Sequence, residues 1–186
     1  MDRLRKWLRV LAGSLTLLAG CAPSGQHLPP LKTVPHVDLQ KYTGTWYEIA
    51  RYPHSFQKGC VDSRADYELR DDGRIGVVNQ CRRDTPAREV RRVSGTARVV
   101  DNVSNARLQV SFFWPFWGEY WIIDLDPDYR WAVVGHPSRN YLWILSRTPK
   151  MEEAVYRELV SRLPAQGYDP LKLQRTYQPP EEVRGN

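Results

Sequence analysis

Gly44-Thr45-Trp46-Tyr47-Glu48-Ile49-Ala50-Arg51 decides how the rest of this chain is read. Thr, Trp, Tyr and Ile suit a pleated, half-buried surface. A period of two puts Trp46, Glu48 and Ala50 on one face. The same reading recurs downstream in short alternating or aromatic-rich segments at 63–69, 74–81, 89–99, 106–113, 118–125, 130–135 and 141–147. Asp-Asp-Gly, Asp-Asn, Trp-Pro and Asp-Pro-Asp stand between them as breakers. Together these make eight strands with short connections. Closing into an up-and-down barrel removes the edges of such a series, and at this strand number a barrel can hold one small ligand. A filled two-sheet sandwich fits the same count, and periodicity does not choose between them.

After the strands, Thr148-Pro149 has the look of an N-cap followed by proline at the first helical position. Met151, Val155, Leu159 and Leu163 fall four apart and predict one amphipathic helix ending at Pro164. An extended piece, Leu171 to Tyr177, follows. The polar tail 178–186 is expected to be disordered.

The 186 residues fit one domain, with 41% apolar and 11% aromatic residues able to bury a sizeable core. The formal charge of +6 is concentrated at the front, where Arg3, Arg5, Lys6 and Arg9 face only Asp2. What remains is a weak excess that does not indicate a nucleic-acid binder.

That basic start, the apolar stretch Leu8 to Leu18 and the ending Leu18-Ala19-Gly20-Cys21 read as an export signal over 1–20. The ending resembles the bacterial lipobox. The resemblance implies cleavage before Cys21, a diacylglycerol on its thiol and an acylated new amino terminus. With Ala22 rather than Asp after the cysteine, it implies the periplasmic face of the outer membrane. Residues 21–37, rich in proline and lacking a periodic apolar face, are expected to form a lipidated flexible tether.

Cys60 and Cys81 remain in a compartment that permits disulfides. The alternating runs around Asp72-Gly73 fold them toward the same end of a hairpin. Strict pairing about that turn sets Cys81 opposite residue 64, so a bridge requires a bulge. Two reduced buried thiols are the alternative.

Three stretches decide the family. Gly44-Thr45-Trp46 resembles the Gly-X-Trp signature of the lipocalins. Asp128-Tyr129-Arg130-Trp131-Ala132-Val133-Val134 resembles their second motif, with Pro127 where Thr is common. Arg147, in Tyr141-Leu142-Trp143-Ile144-Leu145-Ser146-Arg147, stands where the third has its arginine. The match covers 38–177 and is nearest to the bacterial outer-membrane members, from which Cys60 and Cys81 depart. It implies an eight-stranded antiparallel barrel with one C-terminal helix.

The resemblance gives Gly44, Trp46, Tyr129 and Arg147 structural work, with the guanidinium across the indole at the closed end. It turns Glu48, Ala50, Trp143 and Leu145 inward and assigns Phe112 and Tyr120 to the ligand lining with them. Glu48 then serves a ligand headgroup or a structural hydrogen bond. The connection Trp114-Pro115-Phe116-Trp117 falls at the mouth, where its aromatics line the way in, meet a second copy, touch a membrane or fold back onto the core. Lys58, Arg82, Arg83, Arg88 and Arg139 make that end net basic against Asp84 and Glu89. Asp71, Asp72, Asp101, Asp126 and Asp128 lie at the other end.

The implied function is storage or transport of a fatty acid or lysophospholipid in the cell envelope, with no cofactor or metal and with dimerisation as a further implication. An enzyme acting on a lipophilic substrate and a partner-binding lipoprotein with a filled barrel are the alternatives. Neither a Gly-X-Ser-X-Gly signature nor a paired-histidine motif is present. His27, His36, His54 and His136 are scattered over tether and loops.

Overall fold

Alternation and turn chemistry build a closed meander. A computed structural model describes residues 28–85 and 89–180. Its strands are β1 (Gly44–Arg51), β2 (Cys60–Leu69), β3 (Ile75–Arg83), β4 (Val90–Val99), β5 (Arg107–Phe113), β6 (Phe116–Leu125), β7 (Trp131–Gly135) and β8 (Leu142–Ser146). Each pairs antiparallel with the next, and β1 pairs with both β8 and β2, which closes the barrel. The sandwich alternative is thereby removed. A short helix α1 (Leu39–Tyr42) precedes β1, and α2 (Glu153–Arg162) follows β8.

Two apolar clusters sort the side chains. One takes Trp46, Val77, Ala97, Leu108, Ile122 and Leu145, with Tyr67 and Val134, and so draws on all eight strands. Only the barrel interior is shared by all of them. The other joins Ile49, Val133 and Ile144 to Leu159 and Leu163, and it lies on the outer wall beneath α2. Burial of a leucine such as Leu159 contributes about 1.5–3 kcal/mol.

The first turn of α2 lies later than Thr148-Pro149 suggests. The N-cap position is Glu152, and Thr148 Oγ1 instead donates to Lys150 O. The β2–β3 connection also differs from a two-residue Asp72-Gly73 turn. Leu69 pairs with Ile75, and Asp71-Asp72-Gly73 form a three-residue loop with Gly73 at φ +75°. A register shift between Val61 and Arg64, with Asp62 at φ +50°, then brings Cys60 and Cys81 together. Their sulfurs are bonded at 2.02 Å, with Cα atoms 5.5 Å apart.

Residues expected to be a free tether or tail pack down where the structure describes them. Leu31 and Val37 are buried, and the Val34 and Val37 amides donate to Ile122 O and Ser104 O. Leu31, Val34 and Val37 are apolar at three-residue spacing, which an unpacked segment would leave in water. At the other end a two-residue strand β9 (Gln174–Arg175) lies beside the end of β1, where β2 no longer pairs with it. Gln178 Nε2 donates to Glu48 O and to Ser63 O and so stitches β1 to β2. Cys21, Arg88, His27, the export segment 1–20 and the tail beyond 180 lie outside the described residues.

Candidate functional site

The floor of the barrel is an aromatic and cationic lock. Trp46 is fully buried, and its Nε1 donates to Tyr42 O at 2.8 Å. The Arg147 guanidinium carbon stands 3.8 Å from the Trp46 ring centroid. Its three nitrogens donate to Lys41 O, Thr45 O and Tyr129 O. One side chain, just past β8, therefore ties α1, β1 and the β6–β7 connection together. Tyr129 sits at φ +59°, and its hydroxyl accepts from the Asp38 amide. Gly44, at φ +93°, lets the chain turn from α1 into β1 with Arg147 alongside.

Above the lock three tyrosines share their hydroxyls. Tyr42 Oη and Tyr120 Oη are 2.8 Å apart, and Tyr67 donates to Tyr120 at 3.1 Å. Burial raises the pKa of all three out of the physiological range, Tyr67 to about 12 and the other two further. They are neutral hydrogen-bonding groups in an otherwise apolar floor, with Phe112, Val110 and Trp143 packed beside it.

Higher on the wall stands a charged pair. Glu48 Oε1 accepts from Arg51 Nη1 and from Thr176 Oγ1, both at 2.5 Å, and Oε2 accepts from Gln57 Nε2 at 2.8 Å. Gln57 Oε1 in turn accepts from Trp143 Nε1. A buried carboxylate needs such partners, and here they come from the chain itself. Arg51 also donates to Cys60 O, so the bridged cysteine helps to fix it. Arg51 Nε, Asn79 Oδ1 and both His54 ring nitrogens are buried without a hydrogen-bond partner. The ring of His54 lies 3.7 Å from Phe56 and 5.5 Å from Trp143, centroid to centroid. Burial, and then the Arg51 charge, pull its pKa down to about 4.

Two expected lining residues are not in the interior. A bulge between Glu48 and Ala50 pairs Ala50 with Ile144, on the face under α2. The extra residue reverses the alternation, so Ala50 points outward and Arg51, opposite Trp143, points in. Trp117 is likewise outside. β6 starts at Phe116, one residue after the turn, and Tyr120 faces inward, so Trp117 three positions earlier faces out. There the Arg98 guanidinium lies 4.1 Å from its ring centroid.

The interior side chains that the sequence reading passed over are Tyr42, Arg51, Gln57, Tyr67, Asn79 and Thr176. Tyr67 and Asn79 were within reach, because they share parity with inward neighbours. Arg51 was hidden by the bulge, and Thr176 by a contact across 128 residues. The rim also differs from the simple charge tally: Arg82 bonds Asp62, and Arg139 donates to three main-chain oxygens, of Pro29, Pro137 and Gln166. Among the described residues, no group of three His, Cys, Asp or Glu is placed to hold a metal.

Residues 37–178 match the sequence pattern of a lipocalin-like domain. The chain is 43% identical over 164 residues to temperature-induced lipocalin-1 of Arabidopsis thaliana, covering 81% of this chain and 86% of that one. It is 42% identical over 154 residues to the outer membrane lipoprotein Blc of Escherichia coli K12, with the same coverage of 81% and 86%. Insecticyanin from the tobacco hornworm Manduca sexta superposes with a TM-score of 0.65 at 19% identity, over 81% of this chain and 85% of that one, which speaks to the fold alone.

Proposed function

The chain belongs to the lipocalin family, and from that membership we propose that it is a lipid-binding protein: its barrel holds a fatty acid or lysophospholipid for storage or transport in the cell envelope. The supporting observation is the interior cluster drawn from all eight strands, closed below by Trp46 and Arg147 and supplied with few polar groups. An acyl chain matches such a lining, because apolar walls with a small number of placed polar atoms favour a long alkyl group with one hydrophilic end. The chain packs against Trp143, Phe112 and Tyr120. The headgroup stays at the level of Arg51, Asn79 and the mouth, where Arg51 Nε and Asn79 Oδ1 are free to bond it.

The anchor belongs to the same reading. Cys21 carries the lipid, the sorting residue Ala22 directs the protein to the outer membrane, and the barrel stands on the periplasmic side. The E. coli relative, by name an outer membrane lipoprotein, supports it. Cys21→Ser leaves the barrel folded and releases the protein from the outer-membrane fraction, read by fractionation and immunoblotting. Quantitative retention of that variant contradicts the assignment. For the ligand, organic extraction of protein purified without detergent, followed by mass spectrometry, is expected to yield fatty acid or lysophospholipid in stoichiometric amount. An empty protein that also takes up no added lipid overturns the binding reading.

A further inference from the structure

Consecutive antiparallel strands put the β1–β2, β3–β4, β5–β6 and β7–β8 connections at one end, opposite α1 and Trp46. That open end carries a set of unburied aromatics. Phe113, Trp114 and Phe116, around the tight β5–β6 turn, are 74%, 84% and 76% exposed, and Phe56 of the β1–β2 connection is exposed too. The exposed large apolar residues at the closed end are only Val100 and Val103, among the described residues. Aromatics in such a tip gain nothing from the barrel's own core. Lys58, Arg83, Arg91 and Arg92 stand in the adjoining connections and strand ends, against Asp84 and Glu89.

A second observation is independent of the first. The amino-terminal segment comes onto the barrel at this same end: Pro29 O accepts from Arg139 in the β7–β8 connection. From there it runs to the closed end, where the Val37 amide donates to Ser104 O in the β4–β5 connection. Cys21 stands seven residues before Leu28, a stretch of chain that spans at most about 25 Å. The described chain thus enters the barrel wall from the mouth side, and any anchor on Cys21 is tethered to that end.

We propose that the open end is a bilayer-docking face, with Phe113, Trp114 and Phe116 seated in the interfacial layer of an anionic membrane and the mouth opening onto the lipid headgroups. Aromatic rings partition into that layer, and lysine and arginine beside them are drawn to its negative surface. A lipid then passes between bilayer and barrel without crossing bulk water. The inference rests in part on lipidation of Cys21, and the test separates the two.

Full-length acylated protein is placed in vesicles of phosphatidylethanolamine and phosphatidylglycerol, carrying a fluorescent label on Trp114→Cys or, in a second preparation, on Val103→Cys. Spin-labelled phospholipid is expected to quench the label at 114 and leave the one at 103 bright. In the second arm the unacylated Cys21→Ser chain is sedimented with the same vesicles. Replacing Phe113, Trp114 and Phe116 together by Ser is expected to lower its partitioning about tenfold, the scale of losing interfacial apolar contact. Val103→Ser leaves it unchanged, and fatty-acid uptake by the triple variant in solution stays at the wild-type level. If mass analysis finds no lipid on Cys21, the sedimentation arm alone decides. The proposal is overturned by equal quenching at both positions, by stronger quenching at 103, or by a triple variant that sediments like wild type. It is overturned equally if the triple variant merely passes from dimer to monomer, since the face then serves a second copy of the chain.

Discussion

Arg147 shows how much one side chain can hold. It covers an indole and donates to three main-chain oxygens from separate segments, and burial pulls its pKa down from the ordinary arginine value. Arg147→Ala removes the cation–π contact and leaves those carbonyls without their donor. A loss of about 2 kcal/mol is expected, seen as a lower denaturation midpoint with fatty-acid affinity little changed. His54 gives a residue-scale test in pH. Its folded value is about 4 against an ordinary 6.5, so between those values the unfolded chain binds a proton that the folded chain refuses. Its contribution is complete above about pH 6.5 and is lost as pH falls toward 4. Melts at pH 7 and 4.5 are expected to show a smaller drop in His54→Phe than in wild type. Equal drops contradict the assignment.

Between elements, the seams matter more than the strands. The disulfide links β2 to β3 beside the β2 bulge, and Cys60 O holds Arg51 in place across the neighbouring strand. Replacing both cysteines by serine opens a covalent loop with a sequence separation of 21 and is expected to cost about 3 kcal/mol, on loop entropy. Free thiols in protein isolated without reductant contradict the premise. The strands themselves were legible because period-two alternation and Asp- or Gly-rich breakers are local signals, and the stripe Met151, Val155, Leu159, Leu163 marked α2 for the same reason. Bulges leave no such local mark. The one at Ile49 sent Ala50 outward and Arg51 inward, and the early start of β6 placed Trp117 on the outer wall. The docking of Leu31, Val37 and Gln178 depends on surfaces that exist only once the barrel has closed.

For the molecule as a whole, the two ends of the barrel differ in chemistry. The lower barrel is closed by Trp46, Arg147 and the tyrosine chain, and the upper rim gathers exposed aromatics and basic groups where the described amino-terminal segment begins its path. The central claim is that the barrel takes one acyl lipid against Trp143. Titration of delipidated protein with a long-chain fatty acid and with a lysophospholipid, followed by calorimetry or intrinsic fluorescence, tests it most directly. Saturable binding of one lipid per chain is expected. Trp143→Ala is expected to weaken it by about 1–3 kcal/mol, the scale for losing burial against a large side chain, and Trp117→Ala, on the outer wall, to leave it unchanged. No saturable binding by the wild-type protein, or a loss of affinity in Trp117→Ala with none in Trp143→Ala, contradicts the account.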